Sequence, residues 1–263
     1  MAMIVVKLGG EVVASGALAA LARDLERLRA EGERVIVTHG GGPQATALSK
    51  RLGLEPRLIG GRRVTDEATL EVMKLTVAGQ VNVDLCARLR AAGVPAVGLH
   101  DVVEAARRPP RVVSGGGAEP IDLGHVGDVT GFDLALVRLL VDAGRVPVIA
   151  CLGHDAAGAV YNINADIVAN QLAGALSADA LVMVTGAPGV LRDVKDPATR
   201  IPRLTVEEGR RAIADGTVSG GMIPKLEESF AALEAGAKAI YVIAGELYQA
   251  LRAPGSVGTL LEP

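Results

Sequence analysis

The sequence predicts an α/β fold, a three-layer αβα sandwich around a central, mostly parallel sheet. Short apolar runs rich in β-branched residues alternate with helical patterns along the chain, as expected of strands joined by crossover helices. Each run is nearly continuous in its apolar character, which suits strands covered on both faces. Aromatic residues make up only 2% and Trp is absent, so the core must be built from Val, Leu, Ile and Ala, a composition fitted to helices laid on a sheet. With 263 residues, 49% of them hydrophobic, the chain can bury a core large enough for one α/β domain or two lobes.

The first apolar run, residues 4–8, ends in Lys7-Leu8-Gly9-Gly10, and a helical pattern follows over residues 18–30. The second, residues 35–38, passes through Gly40-Gly41-Gly42 and Pro43 into a helical pattern at 44–51. Glycines there leave backbone N–H groups uncovered beside a helix N-terminus, a geometry that holds a phosphate or carboxylate, although plain tight turns use the same residues. Ligands of open parallel sheets bind at the carboxyl ends of strands, so the two turns can face one crevice. Lys7 is then either a charge beside it or a solvated strand end.

The longest helical stretch is 66–92, with Leu70, Met73, Val77, Val81 and Leu85 at helical spacing and Thr65 or Asp66 as its cap. Its length exceeds what one sheet face requires, which favours contact with a second subunit over a merely curved core helix. After the strand-like 96–99, residues 102–129 break into Arg107-Arg108-Pro109-Pro110, a turn at 114–117 and an apolar stretch at 123–129. No helix can run through that composition, and short strands lying over the crevice as a lid, or a surface loop, are expected. The run 146–151 is followed by a hairpin pattern across 153–163.

Asn162-Ile163-Asn164-Ala165-Asp166 then places polar residues at alternate positions before a helix at 167–175; in extended backbone all three project to one side. Asp166 can orient ammonium groups or simply cap that helix. The helix bridges two expected lobes, residues 1–178 and 179–263. Strand patterns at 180–185 and 239–243 flank Gly220-Gly221-Met222, Lys225 and a helical 226–235. Lysine near a helix N-terminus is disfavoured by the macrodipole, which an anionic ligand would relieve.

A formal net charge of -3 without a basic run argues against nucleic acid as a partner, and no apolar run approaches the roughly 20 residues that span a bilayer. With no charged leader ahead of the first strand, a cytoplasmic location without membrane contact is the default expectation. Cys86 and Cys151 have neither metal nor disulfide spacing and are expected to be buried free thiols. The four histidines, far apart in sequence, form no ligand motif.

Taken together these pieces resemble the acetylglutamate kinases, a branch of the amino acid kinase family, over nearly the whole chain. The residues that carry the resemblance are Lys7-Leu8-Gly9-Gly10, His39-Gly40-Gly41-Gly42-Pro43, Gly61 to Arg63-Val64-Thr65-Asp66, Val77-Ala78-Gly79 with Asn82, Gly124-His125-Val126-Gly127, Asn162 to Asp166, Pro188-Gly189-Val190-Leu191 and Gly220 to Lys225. The resemblance implies phosphorylation of the side-chain carboxylate of N-acetyl-L-glutamate by ATP with Mg²⁺ carried on the nucleotide, a step of arginine biosynthesis. By position, Lys7 and Lys225 are its transition-state lysines and Asp166 the residue that holds them. Gly41, Gly42, Arg63, Asn162 and Asn164 fall on its acetylglutamate site. Gly9, Gly10, Gly186, Gly189, Val190, Leu191, Thr217 and Ser219 fall on its phosphate and nucleotide site. No resident metal site is implied.

Three positions depart from the family's pattern. Gly186 stands where relatives usually carry an acid, Val83 replaces a frequent base after Asn82, and His100-Asp101-Val102 replaces a glycine-rich turn. Arginine-inhibited members carry an extra helix ahead of the first strand, so a homodimer without arginine inhibition is expected. The alternatives are a carrier-protein-linked aminoadipate kinase of lysine biosynthesis, for which Arg57, Arg62 and Arg63 leave room, and a non-catalytic nucleotide-binding module, which would not need Lys7, Asp166 and Lys225 together. A dinucleotide oxidoreductase fits poorly, because no Gly-x-Gly-x-x-Gly follows the first strand.

Overall fold

Period-two alternation along the first strand sorts its side chains between two cores and thereby places the first functional residue. Strand β1 (Met3–Leu8) is buried throughout. Met3 and Val5 belong to one apolar cluster, Ile4, Val6 and Leu8 to another on the opposite face of the sheet. Lys7 shares the parity of Met3 and Val5, so it points to the first face. A computed structural model of the chain describes residues 1–113, 117–218 and 222–263.

Helices α1 (Gly10–Ala14) and α2 (Ala17–Ala30) follow β1 and lead to β2 (Arg34–His39) and α3 (Gly42–Arg51). A two-residue turn, Gly60-Gly61, both at positive φ, joins the antiparallel β3 (Leu58–Ile59) and β4 (Arg62–Arg63). The long helix then runs as α4 (Glu67–Met73), a π-helical segment Lys74–Val81 and α5 (Asn82–Ala91). Its cap is Asp66, whose side chain accepts from the Thr69 N–H at 2.8 Å. Next come β5 (Ala96–Leu99), β6 (Val103–Arg107), β7 (Gly127–Phe132), α6 (Leu134–Asp142), β8 (Val146–Ala150), β9 (Leu152–His154), β10 (Val160–Asn162) and α7 (Ala165–Ala175). The chain ends with β11 (Ala180–Val184), β12 (Arg203–Thr205), α8 (Val206–Ala214), α9 (Met222–Glu234), β13 (Ile240–Ile243), α10 (Leu247–Arg252) and β14 (Thr259–Glu262).

The main sheet has eight strands in the order β12-β14-β13-β11-β1-β2-β8-β5, parallel at every pairing except β13 with β14. Helices cover both faces, as the alternating pattern required. Residues 180–262 build one half of the sheet and residues 3–150 the other, and the halves meet where β1 pairs with β11. A second, four-stranded sheet, β10-β9-β6-β7, takes up the irregular middle of the chain.

Several local expectations are corrected. The short strands expected within residues 102–129 are present, as β6 and the start of β7, and rather than a surface loop they form a sheet in which β6 pairs with β7 and also touches β9 of the β9–β10 hairpin. The Asn162–Asp166 strip is not extended throughout, because β10 stops at Asn162 and Asn164 caps α7, its side chain accepting from the Asp166 N–H at 2.8 Å. Asp166 is therefore inside the first turn, with its carboxylate released from capping. Helix α9 starts at Met222, earlier than the sequence pattern, which puts Lys225 in its first turns. Cys151 is buried, but Cys86 is only half-buried. Ser114, Gly115 and Gly116 of the turn expected at 114–117 lie outside the described residues, as do Ser219, Gly220 and Gly221.

Candidate active site

Lys7, Asp166 and Lys225 converge from three elements. Lys7 reaches the α7 face of the sheet from the end of β1, and its Nζ lies 2.6 Å from Asp166 Oδ1. Lys225 Nζ donates to Asp166 Oδ2 at 2.5 Å. Burial pushes the Asp166 carboxyl up, but the charges and hydrogen bonds of both lysines outweigh it and hold the carboxyl below its ordinary value. Two ammonium groups share one carboxylate, leaving the cluster one positive charge in excess. A phosphoryl group is the natural complement.

The two glycine turns meet, as the crevice reading expected. Gly40 N–H donates to Leu8 O at 3.2 Å, and Gln44 Nε2 donates to Gly10 O at 2.7 Å. A Cβ on Gly10 would stand 2.9 Å from Pro43 Cδ and 3.4 Å from Gly41 Cα, so the approach tolerates no side chain. Gly41 is seated on the π segment, where a Cβ would lie 3.0 Å from Val77 Cγ2. Behind the turn, His39 is fully buried and Nδ1 lies 3.1 Å from Gly40 O, while Nε2 lies 2.9 Å from Asn82 Nδ2. Burial lowers the His39 pKa to about 4, opposed by the Gly40 bond; the neutral ring with its proton on Nδ1 satisfies both contacts.

A cavity of about 440 Å³ opens beside this turn. Gly41, Gly42, Arg63, Asn162 and Asn164, the five residues expected to hold substrate, all line it. Arg63 comes from β4 and donates through Nη2 to Gly42 O at 3.0 Å and Thr46 Oγ1 at 2.8 Å. Its Nη1 is buried without a described partner, and burial lowers its pKa. A half-buried guanidinium whose inner nitrogen has no counter-charge among the described residues suits an anion. Asn162 is fixed by a 3.0 Å bond from Nδ2 to Thr65 Oγ1. Thr65 in turn grips Gly124, where a Cβ would stand 2.3 Å from Thr65 O.

The expected nucleotide residues scatter more. Gly9 and Gly186 lie at the adjacent ends of β1 and β11, the Gly9 N–H donating to Val184 O at 3.2 Å. The Val190 side chain is fully buried, and its N–H donates to Thr259 Oγ1 at 2.8 Å. Gly189 has φ +142 and its Cβ position would crowd the same hydroxyl, so Gly189-Val190 is stapled to β14 and only its backbone can serve a ligand. Leu191 bridges to Arg200, and Thr217 lines a separate groove of about 290 Å³ with Arg192 and Arg211. Ser219 lies outside the described residues.

Sequence reasoning gave no functional role to His39 or Arg108, which it named only within longer motifs, and did not single out Glu11 or Glu228. Arg108 lines the cavity and is 4% exposed. Glu11, in the first turn of α1, brings Oε2 to 3.5 Å from the Cβ position of Gly186, so a carboxylate from another element occupies the neighbourhood left bare there. Glu228 sits one turn beyond Lys225; burial and Asp166 raise its pKa to about 7 against the pull of Arg62, Lys225 and Arg108. A polar residue beside a glycine turn, as at His39, was the one legible hint; the others depend on contacts between distant segments.

A profile described as the amino acid kinase family matches residues 2–244. The chain is 62% identical over 270 residues to the acetylglutamate kinase of Anaeromyxobacter dehalogenans, covering 100% of both chains. It is 56% identical over 268 residues to the acetylglutamate kinase of Sorangium cellulosum, covering 99% of this chain and 94% of that one. Among solved structures it resembles N-acetylglutamate synthase from Neisseria gonorrhoeae complexed with coenzyme A and N-acetyl-glutamate, with a TM-score of 0.84 at 26% identity. All of this chain is covered by that match, but it spans 59% of the synthase chain. Carbamate kinase from Giardia lamblia bound to AMP-PNP shares the fold, with a TM-score of 0.69 at 17% identity.

Proposed function

The chain belongs to the amino acid kinase family, and from that premise we propose that it transfers the terminal phosphoryl group of ATP to the side-chain carboxylate of N-acetyl-L-glutamate, a step of arginine biosynthesis. The observation that carries the reading is the Lys7–Asp166–Lys225 cluster beside a cavity lined, among the described residues, by arginines and no carboxylate. Such a cavity suits a dianion. The Arg63 Nη1 left unpaired takes the α-carboxylate, the Gly41 and Gly42 backbone and the amides of Asn162 and Asn164 hold the rest, and the side-chain carboxylate faces the lysines.

A carboxylate with a pKa near ~4 is ionised at neutral pH, so no general base is needed. One of its oxygens forms a bond to the γ-phosphorus as the bond to the β-phosphate oxygen breaks. An acyl phosphate and ADP result. The protein's task is to align two anions and to meet the charge on the transferring group, which Lys7, Lys225 and the glycine N–H groups do. Among the described residues no three His, Cys, Asp or Glu side chains form a metal cage. Mg²⁺ arriving on the nucleotide phosphates needs none, and there it shields their charge from the incoming carboxylate.

The nucleotide enters at the ends of β1 and β11, over Gly9, Gly10 and Gly186, with the backbone of Gly189–Leu191 and Thr217 beyond. On this reading residues 1–178 form the acetylglutamate lobe and residues 179–263 the ATP lobe. Leu75 and Val83, exposed on the long helix, form the contact of a homodimer. ADP release with N-acetyl-L-glutamate, free L-glutamate or L-2-aminoadipate as acceptor tests the substrate: turnover with acetylglutamate alone supports the proposal, and turnover with either of the others in its place refutes it.

A further inference from the structure

Three arginines, Arg62, Arg63 and Arg108, line the substrate cavity, more than the α-carboxylate of one substrate requires, and Arg108 is the most deeply buried of them. Arg108 follows β6, and its backbone N–H donates to Val126 O at 2.8 Å; Val126 bridges to Asn162, so the residue is built into the cavity wall. Its guanidinium is used along one edge only. Nε donates to Asp128 Oδ1 at 2.8 Å, and Nη2 lies 2.6 Å from the same oxygen and donates to Gly127 O at 3.2 Å. Nη1 meets no partner among the described residues, yet it is not sealed into the core. The edge already engaged suffices to brace β6 against β7, so bracing leaves the open edge unexplained.

Arg108 stands between two cavities that flank the start of α7. Arg108 lines the substrate cavity on one side and, on the other, a second cavity of about 510 Å³ that contains Glu228. The first cavity also takes in Asn164 and Ala165 and the second Ile167, so Arg108 lies beside the first turn of α7, the turn that carries Asp166, and Glu228 lies one turn after Lys225 on α9. Asp128 is 43% exposed and water screens it, so it neutralises the guanidinium only in part.

We propose that Arg108 is a further catalytic residue, its Nη1 donating to the phosphoryl group as that group passes from ATP to the substrate carboxylate. The inference rests on the acetylglutamate kinase reading. As the carboxylate oxygen–phosphorus bond forms and the bond to the departing ADP breaks, charge spreads over the equatorial oxygens, and a fixed guanidinium donor on the cavity side is worth most at that moment. No proton has to move. Arg63 and Arg108 thus divide the work: the first binds the ground state, the second the transition state.

Arg108→Gln separates these roles. It is expected to lower kcat by about 100-fold or more while the Kd for N-acetyl-L-glutamate, measured calorimetrically without nucleotide, changes by less than about threefold. It should also abolish the ternary complex with MgADP, aluminium fluoride and acetylglutamate that wild type forms. Arg63→Gln should do the reverse, weakening acetylglutamate binding first. Asp128→Ala, which removes the brace but leaves Nη1, should retain most of kcat. If Arg108→Gln fails to fold, Arg108→Lys serves, keeping the charge but not the fork, with a kcat loss of at least about tenfold. The proposal is overturned if the Arg108 variant keeps wild-type kcat, if Asp128→Ala loses as much, or if the defect appears only in acetylglutamate affinity. Absence of acetylglutamate turnover in wild type overturns the underlying reading instead.

Discussion

Asp166 holds together two lysines that would otherwise repel each other, and most of what can be tested at the level of single residues follows from it. Asp166→Asn leaves two partly desolvated ammonium groups facing one another; we expect a loss of about 3 kcal/mol or more in urea unfolding and a fall in kcat of at least about 100-fold. Unchanged unfolding would contradict the cluster's structural role. Two further residues set opposing pH dependences. His39 has a folded pKa of about 4 against 6.5 unfolded, so the unfolded chain binds a proton the fold refuses, and stability falls as pH drops through that window. Glu228, at about 7 against 4.5, is protonated in the fold where the unfolded chain is ionised, so its contribution is lost as pH rises from 4.5 to 7. Each slope integrates to about 3 kcal/mol, and they nearly cancel. Glu228→Gln should therefore expose the His39 slope, with urea midpoints rising between pH 4.5 and 6.5; a curve parallel to wild type would contradict this assignment. Lys7 and Lys225 were legible in sequence because glycines flank them. Glu228 and Arg108 were not, because burial that shifts or fixes a charge is created by elements far away in the chain.

At the level of elements, the π segment and the β3–β4 hairpin position the site and were the parts least legible beforehand. Met73, Val77, Val81 and Leu85 recur at a spacing of four, wider than the 3.6 of an α-helix, and four-residue steps sustained that long ask the helix to widen; that was the available signal. The widened turn puts Val77 and Val81 under Gly41. The hairpin carrying Arg62 and Arg63 was announced only by Gly60-Gly61, whose positive φ values suit a two-residue turn. Gly124 links these elements to the second sheet. Because it combines φ +76 with a Cβ position 2.3 Å from a backbone oxygen, Gly124→Ala should destabilise the protein by about 2 kcal/mol or more and loosen Asn162, raising KM for acetylglutamate before it affects kcat. A variant with wild-type stability would show that the Thr65 contact yields at little cost. Six of the eight strands of the main sheet were legible to within a residue or two, since buried parallel strands carry their apolar pattern locally; the short β12 and β14 were not, nor was the capping of α7 by Asn164 rather than Asp166, because both residue types cap.

For the molecule as a whole, the order of the main sheet divides the chain at the β1–β11 pairing, with Lys7 on one side of the seam and Lys225 arriving from the other. Substrates that bridge the seam should draw the halves together and exclude water from a hydrolysable product. Small-angle scattering should show a smaller radius of gyration with acetylglutamate and a non-hydrolysable ATP analogue, and superimposable curves with and without them would argue against closure. The αβα class was readable from alternation and composition alone. The β9–β10 hairpin and short strands in the irregular middle were legible too, but their assembly into one second sheet was not, because β6 meets β9 across a gap of nearly fifty residues. The central claim is that the Lys7–Asp166–Lys225 cluster drives phosphoryl transfer to acetylglutamate, and hydroxylamine trapping of the acyl phosphate tests it most directly. ATP-dependent hydroxamate formed from N-acetyl-L-glutamate, absent with free glutamate and aminoadipate and lost in Lys225→Ala, is the predicted result; hydroxamate undiminished in Lys225→Ala, or none from acetylglutamate in wild type, would contradict it.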